Sequence, residues 1–327
     1  MKKKILIIGG GGYVGCELVR KLLLLKYEVY VYDLFIYGIE CLPKDKNLFI
    51  IKGDIRDINK VNNSLKEIEI CIHLACISND PSFELNPKLG KEINLDSFEP
   101  LIISCIKNKV KRFIFASSSS VYGISEVKDV QENHVLRPLT DYSKFKAECE
   151  LILQKYKNRD LQWTIIRPAT VCGYSHRQRF DLVVNLLTNL AFNKKKITVF
   201  GGSQLRPNIH IKDMVNAYLA IINSESSLLN FETFNVCFDN MAVLDIAKII
   251  KKELNENIEI ELKKSDDNRS YHISSDKIRS KLGFVPQYTV IEAIRDIIQA
   301  FKEEKYINSL DNEIYFNIKR MQSLNLN

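Results

Sequence analysis

Short apolar runs alternate with helix-period stretches from the first residues onward. Residues 4–9 (KILIIG) are almost wholly apolar and predict a buried strand, while residues 13–26 (YVGCELVRKLLLLK) carry an apolar face at helical spacing. Further strands are expected at 27–33 and 47–54, a short helix near 57–66 and a strand at 67–75. A long helix over about 87–108 precedes a strand at 110–118, and a helix over about 140–157 precedes a strand at 161–168. Such alternation demands crossover connections, hence parallel strands covered on both faces, and continuously apolar strands fit that burial. The first half is therefore expected to be a doubly wound α/β structure.

After Pro168 the rhythm loosens. Helices are expected near 180–192, 212–222, 242–254, 276–282 and 289–303, with strands at 197–201 and 233–237. No low-complexity linker or internal repeat divides the chain. Residues 171–327 are expected to form a smaller lobe packed directly on residues 1–170, with a cleft between, and the strands near 197–237 to return to the first sheet. The polar residues beyond about Glu304 read as a mobile tail or an interface segment.

At 46% hydrophobic and 27% charged, the 327 residues have globular composition. Lys and Arg number 47 against 40 Asp and Glu, a net +7 scattered along the chain. That suits an anionic small molecule better than nucleic acid, which calls for a concentrated basic stripe. The eight cysteines (16, 41, 71, 76, 105, 149, 172 and 237) contain no CxxC pair and several lie in apolar runs. They are expected to be buried thiols of a reducing compartment, with no disulfide frame and no metal site. The apolar stretch 5–8 is too short for a signal peptide core of ~7–15 residues, and no run approaches the ~18 residues of a membrane span. The expectation is a soluble cytoplasmic protein with neither membrane nor nucleic-acid partner.

Gly9, Gly12 and Gly15 follow the first strand and open the first helix. Such a turn lets backbone approach a pyrophosphate, and the helix N-terminus offers free N–H groups and partial positive charge. Asp33 ends the second predicted strand, where a carboxylate can accept both ribose hydroxyls of an adenosine and repel a 2′-phosphate; no Arg follows at 34–38, which favours NAD over NADP. Asp54 can meet the adenine amino group or, equally well on local grounds, cap the helix after it.

Tyr142 and Lys146 stand at i and i+4 and share one helix face. An ammonium beside a phenol favours the phenolate, making the tyrosine a usable base near neutral pH. Alone, this pair is commonplace. Ser118, at the carboxyl end of the strand at 110–118, gives it weight, because ligands of open α/β sheets bind there.

Together, G9-G-G-G-Y-V-G15, Asp33, G53-D-I-R-D57, H73-L-A75, S117-S-S-S-V-Y-G123 and Y142-S-K-F-K146 resemble the extended short-chain dehydrogenases/reductases, more narrowly the NAD-dependent nucleotide-sugar epimerases and dehydratases. The resemblance runs in order from residue 4 to about 290. It implies a Rossmann-like sheet of order 3-2-1-4-5-6-7 with a small C-terminal substrate lobe, and NAD as a tightly held cofactor. Carried over position by position, it implies Tyr142 as base, Lys146 on the nicotinamide ribose and Ser118 on the reacting hydroxyl. Tyr13, Val14, Ile55, Leu74, Ala75 and Asn94 join the glycines, Asp33 and Asp54 on the cofactor. Asn79, Ser82, Ser119, Asn185, Arg206 and Arg269 are the implied contacts to a nucleotide-diphosphate sugar. It further implies a homo-oligomer, dimer or tetramer, paired through the helices at 87–108 and 140–157 as a four-helix bundle.

The family's shared step oxidises a sugar hydroxyl, usually at C4, to a ketone. Dehydratases of this type carry Asp-Glu directly after the catalytic Ser/Thr, and decarboxylases a Glu at the second position; here both residues are serines, Ser119 and Ser120. The 3,5-epimerising reductases place a Cys there with a partner His; the Cys is missing, while His176 could still act as an acid. What remains is a C4 dehydrogenase or 4-epimerase, with a 4-keto-sugar reductase as a further alternative. The runs S78-N-D-P-S82 and 171–185 set the chain apart from well-known UDP-galactose epimerases. Dehydrogenases acting on GDP-linked heptoses for capsule polysaccharide are neighbours by resemblance. A catalytically silent NAD-binding regulator is the remote alternative, disfavoured by the presence of Ser118, Tyr142 and Lys146.

Overall fold

A computed structural model describes residues 3–78, 80–125, 127–157, 160–264 and 272–326. Twelve strands are found among them: β1 Lys4–Ile8, β2 Glu28–Asp33, β3 Leu48–Lys52, β4 Ile70–His73, β5 Arg112–Ala116, β6 Gln162–Pro168, β7 Thr170–Cys172, β8 Lys196–Phe200, β9 Leu205–His210, β10 Glu232–Val236, β11 Asp239–Ala242 and β12 Glu259–Lys263. Seven form one parallel sheet in the order β3-β2-β1-β4-β5-β6-β10. Its central strands are apolar on both faces, and two buried clusters lie on opposite sides of it, as crossover helices require. The fold is Rossmann-like α/β, with the seventh sheet position filled by the tenth strand of the chain.

Only part of the region 197–237 returns to that sheet. β10 does so, but β8 pairs with β12 in a separate two-stranded ribbon, and β9 joins β7 and β11 in a three-stranded one. The alternation of apolar residues in β8 (Ile197 and Val199 buried, Phe200 exposed) marks a strand with one covered face. A continuous apolar run would have been needed for the sheet interior.

The expected long helix at 87–108 is interrupted. Pro87–Lys91 is α-helical, Glu92–Asp96 forms a π turn, and Phe98–Lys107 resumes the α-helix. Pro100 lacks the N–H that would bond the Asp96 carbonyl, and the chain accommodates it with a wider turn in which Ser97 N donates to Glu92 O at 3.1 Å. The polar tail also differs from expectation: Asn317–Ser323 is a helix whose Met321 is buried against Ile77 and Phe83.

Helix Asp141–Lys155 starts at a capping box in which Thr140 Oγ1 accepts from Ser143 N and Ser143 Oγ accepts from Thr140 N. Two turns further on, Glu150 is buried. Its carboxylate accepts from Ser117 Oγ at 2.5 Å and from both Nε and Nη2 of Arg167 in β6, at 3.0 and 2.5 Å. Arg167 Nη1 donates to Tyr122 Oη (2.7 Å) and the Glu132 carbonyl (3.0 Å). The network ties the helix to the ends of β5 and β6.

Removing one partner of so buried a pair strands a charge. Arg167→Met is therefore expected to cost about 3–5 kcal/mol in urea denaturation, and the double variant Arg167→Met/Glu150→Leu clearly less. Equal losses would show that the pair's charge is unimportant. His73, in β4, is packed among Phe98, Phe113 and Phe115 with its Nδ1 lacking a hydrogen-bond partner; burial, aided by the charge of Lys146, pulls its pKa down to about 3. Below pH ~6.5 the unfolded chain takes up a proton that the folded one refuses, so stability falls as pH drops. His73→Phe is expected to recover about 2 kcal/mol of the loss between pH 7 and pH 5. An unchanged pH slope would overturn this.

Candidate active site

At the carboxyl ends of the central strands lies a cavity of about 850 Å³, within the range of nucleotide and cofactor sites. The turn after β1 lines one wall. Gly9 has φ +88°, and a Cβ there would lie 2.4 Å from Ala75 N; a Cβ at Gly15 would lie 2.4 Å from the Gly9 carbonyl. Both positions need glycine so that turn, helix and neighbouring strand can close up. The helix Tyr13–Leu24 begins at Gly12 with no side chain capping its free N–H groups, which leaves them to an anion.

Asp33, at the end of β2, faces the same cavity. Its Oδ2 accepts from Gly11 N (2.9 Å) and its Oδ1 from Phe35 N (2.8 Å), leaving further lone pairs for hydroxyl donors. Burial pushes its carboxyl above the ordinary range, with those backbone amides pulling against it. Asp54 also lines the cavity, forked by Arg56 at 3.1 and 2.7 Å, which holds its carboxyl below the usual range. The helix after it, Ile58–Ser64, is capped by Asp57 and not by Asp54. Tyr13, Val14, Ile55, Leu74 and Ala75 complete this wall. An uncapped helix N-terminus beside a close-packed glycine turn, with a ribose-competent carboxylate, fits a dinucleotide.

Tyr142, Lys146 and Ser118 line the same cavity. Lys146 is buried; its Nζ donates to the Ala116 carbonyl at 2.6 Å and lies 5.8 Å from the centre of the Tyr142 ring. Ser118 Oγ accepts from Ser120 N and lies 2.8 Å from Ser120 Oγ. Ser119, though buried, lines the cavity as well, as does Ser120. The arrangement sets a phenol, an ammonium and a hydroxyl around one volume, as proton removal from a substrate alcohol requires.

Other residues singled out in the sequence lie differently. Asn94, in the π turn, does not line the cavity: its amide accepts from Ile77 N (2.8 Å) and donates to Ile77 O (3.0 Å), fixing the segment after β4 that does. Asn185 is fully buried; it accepts from Gly173 N and donates to Tyr13 Oη and Arg179 O, so its two N–H donors are already engaged. Ser82 is buried outside the cavity lining, whereas Arg206 lines the cavity from β9. His176 lies outside the cavity, its Nδ1 2.8 Å from Glu17 Oε1, which removes the support for an acid role. Asn79 and Arg269 lie outside the described residues.

Several lining residues were not foreseen. Arg179 forks Asp181 at 2.8 and 3.1 Å and donates to Ser78 Oγ at 3.1 Å. Arg177 stacks on Tyr37, 3.6 Å from its ring centre, and donates to Asn317 Oδ1 at 2.7 Å. Met321, Leu324 and Leu326 close the cavity from the C-terminal segment. The apolar spacing of Met321, Leu324 and Leu326 within polar sequence was the available signal. All eight cysteines are free, seven of them buried, and no metal-holding cluster or membrane-length apolar helix occurs among the described residues.

The chain is similar to a putative UDP-glucose 4-epimerase of Methanocaldococcus jannaschii, 27% identical over 306 residues that cover 91% of this chain and 98% of that one. Its structure is similar to the UDP-glucose 4-epimerase of Thermotoga maritima solved with UDP-glucose (TM-score 0.85, 25% identity, 93% of this chain and 100% of that one). It is similar as well to the UDP-N-acetylglucosamine 4-epimerase of Methanobrevibacter ruminantium M1 solved with UDP-N-acetylmuramic acid (TM-score 0.84, 26% identity, 93% and 100%). The family model for NAD-dependent epimerases/dehydratases matches residues 5–237, from the glycine turn through Ser118, Tyr142 and Lys146 to the end of β10. With that match laid over this cavity, the chain belongs to the NAD-dependent epimerase/dehydratase family, as an enzyme acting on nucleotide sugars with NAD.

Proposed function

We propose that the enzyme oxidises the C4 hydroxyl of a nucleotide-diphosphate sugar, yielding the 4-keto sugar or, when hydride returns to the other face, the C4 epimer. The carrying observation is that Ser118, Tyr142 and Lys146 line one cavity with the glycine turn, while Ser119 and Ser120 supply hydroxyls where an eliminating enzyme needs carboxylates. In this reading Tyr142 Oη takes the hydroxyl proton, Ser118 Oγ hydrogen-bonds the oxygen losing it, and Lys146 Nζ steadies the phenolate and the nicotinamide ribose. NAD held by the glycine turn and Asp33 would supply the acceptor for the hydride leaving the same carbon. Asp54, free of helix capping, is assigned to the adenine, and Asp33 to the adenosine ribose. Arg206 is assigned to the sugar nucleotide's phosphates.

Asn94 and Asn185 become positioning residues in this assignment, the first for the segment after β4 and the second for Tyr13 and the 173–179 loop. The names of similar proteins favour a uridine carrier. The physiological setting we assign is cytoplasmic supply of activated sugars for polysaccharide. Self-association through the helices Phe98–Lys107 and Asp141–Lys155 is supported by Ile103 and Leu151, 52% and 64% exposed on them.

Incubation with NAD and a panel of UDP-, GDP-, dTDP- and CDP-sugars, read by mass spectrometry, is expected to give either loss of two hydrogens or an isomer of unchanged mass. Loss of water would overturn the reading of Ser119 and Ser120. Tyr142→Phe is expected to lower kcat by roughly 10²–10⁴-fold while NADH binding persists; retained turnover would remove the tyrosine from the mechanism. Leu151→Glu is expected to shift the wild-type oligomer toward monomer in sedimentation velocity, and a monomeric wild type would refute the helix pairing.

A further inference from the structure

Two thiols meet beside the glycine turn. Cys16 follows Gly15 in the first helix, Tyr13–Leu24, and Cys41 lies in the loop between β2 and β3. Arg20 stands at i+4 from Cys16 on that helix and donates from Nε and Nη2 to the Cys41 carbonyl, at 3.1 and 2.9 Å. It thereby fastens Cys41 over the helix face that carries Cys16. The two thiols hydrogen-bond each other, and both are free. Cys41 Sγ also donates to Gly11 O at 3.6 Å, and Cys16 Sγ lies 3.1 Å from Ser175 Oγ.

The two sulfurs are chemically unequal. The hydrogen bond from Cys16 holds the Cys41 thiol below its ordinary range against the effect of burial, and the charges of Arg177 and Arg20 act in the same direction. Burial pushes the Cys16 thiol well up. A sulfur that ionises readily, beside one that stays protonated, suits peroxide oxidation followed by resolution as a disulfide. Access separates this pair from another. Cys71 and Cys105 also hydrogen-bond, but both are wholly buried in the core on one side of the main sheet. Cys41 is 8% exposed and directly follows the exposed residues Ile39 and Glu40.

We propose that Cys16 and Cys41 form an oxidation site for hydrogen peroxide, and that their disulfide loosens the enzyme's hold on its dinucleotide. The Cys41 thiolate attacks one peroxide oxygen; an S–O bond forms, the O–O bond breaks, and the departing hydroxide is protonated to water. The Cys16 sulfur then attacks the Cys41 sulfur; the S–S bond forms, the S–O bond breaks, and hydroxide leaves as water with the Cys16 proton. Together the sulfurs give up two electrons, which reduce one peroxide to two waters. Gly11 carries the effect to the ligand, since its carbonyl accepts from Cys41 while its N–H donates to Asp33 in the cavity wall. Leu34, Ile36 and Tyr37, from the loop that holds Cys41, line the cavity too. A covalent S–S bond is far shorter than a contact between thiols. Forming it draws that loop and the start of the helix together, around a turn whose Gly9 and Gly15 have no space to give. The inference rests on the family's cofactor and not on the proposed reaction at C4.

In the test, full-length enzyme as purified is treated with hydrogen peroxide, alkylated and mapped by peptide mass spectrometry without reductant. NADH binding is titrated by fluorescence before and after treatment. A Cys16–Cys41 cross-link is expected, with Cys71 and Cys105 still open to alkylation once the protein is denatured. NADH affinity is expected to fall roughly 10-fold and to recover with dithiothreitol. Cys41→Ser and Cys16→Ser are each expected to bind NADH within about twofold of wild type and to lose the peroxide response. No cross-link at any peroxide dose that the fold withstands, or a cross-link that leaves NADH affinity unchanged, would overturn the proposal. A loss of affinity that persists in Cys16→Ser would overturn it as well, because no disulfide can then be the cause. Should Cys41→Ser fail to accumulate, Cys16→Ser, whose hydroxyl can keep the contact with Ser175, carries the comparison alone.

Discussion

The placement of Ser118, Tyr142 and Lys146 around the cavity hangs on a buried ion pair, Glu150 with Arg167, that does not itself line it. Tyr142, Lys146 and Glu150 stand at i, i+4 and i+8 on one helix, so they form a row rising about 6 Å per step. The middle member donates to the Ala116 carbonyl, and the last accepts from the Ser117 hydroxyl. The helix thus reads consecutive residues of the β5 end, and the next residue, Ser118, lines the cavity beside Tyr142. Arg167 clamps the other side of Glu150 from β6, so the helix cannot slide along the sheet without uncovering a buried charge. Charge pairs at this depth are weak sources of stability, because desolvation cancels most of their attraction. Their value here is in register: a one-turn slip would carry Tyr142 and Lys146 together away from Ser118, which comes from a different element.

A second constraint comes from the chain's own breaks. Pro100 prevents an uninterrupted helix, and the π turn before it rotates Asn94 toward Ile77. The amide satisfies both backbone groups of Ile77, letting an irregular segment run along the cavity wall without an orphaned N–H or C=O. Residues 74–78, held in this way, present Leu74, Ala75 and Ser78 to the ligand volume. The family resemblance singled out Asn94, but its action through Ile77 depends on a π turn that apolar periodicity does not reveal.

Legibility followed sequence distance. The strand–turn–helix carrying Gly9, Gly12 and Gly15 could be read because its geometry is dictated within about a dozen residues, as could the pairing of Tyr142 with Lys146 on one helix face. β10 was visible as a strand, and its return to the main sheet was expected, yet the same expectation failed for β8, since partner choice rests on packing between distant segments. The buried arginines were missed for a related reason. In R-Q-R-F-D, residues 177–181, charges look like a solvated loop until Tyr37, Ser78 and Asn317 are brought around them. The residues after Glu304 look like a tail until Met321 finds Ile77 and Phe83.

These distant contributions change how the two halves of the chain depend on each other. The first half alone supplies the glycine turn, Asp33 and the Ser118, Tyr142 and Lys146 set. Tyr13 ties that turn to the second half, donating to the Gly173 carbonyl at 2.8 Å while accepting from Asn185. Asn317 then bridges Arg177 and Ser78, and Arg320 donates to the Ile36 carbonyl at 2.5 Å, so the last helix is fastened to both walls of the cavity. A ligand gripped from both sides draws on all of these contacts at once, and its binding energy adds to the stability of the assembled cavity by mass action. Any motion that lifts Asn317 therefore also removes a support of the Arg177 side chain, which lines the cavity.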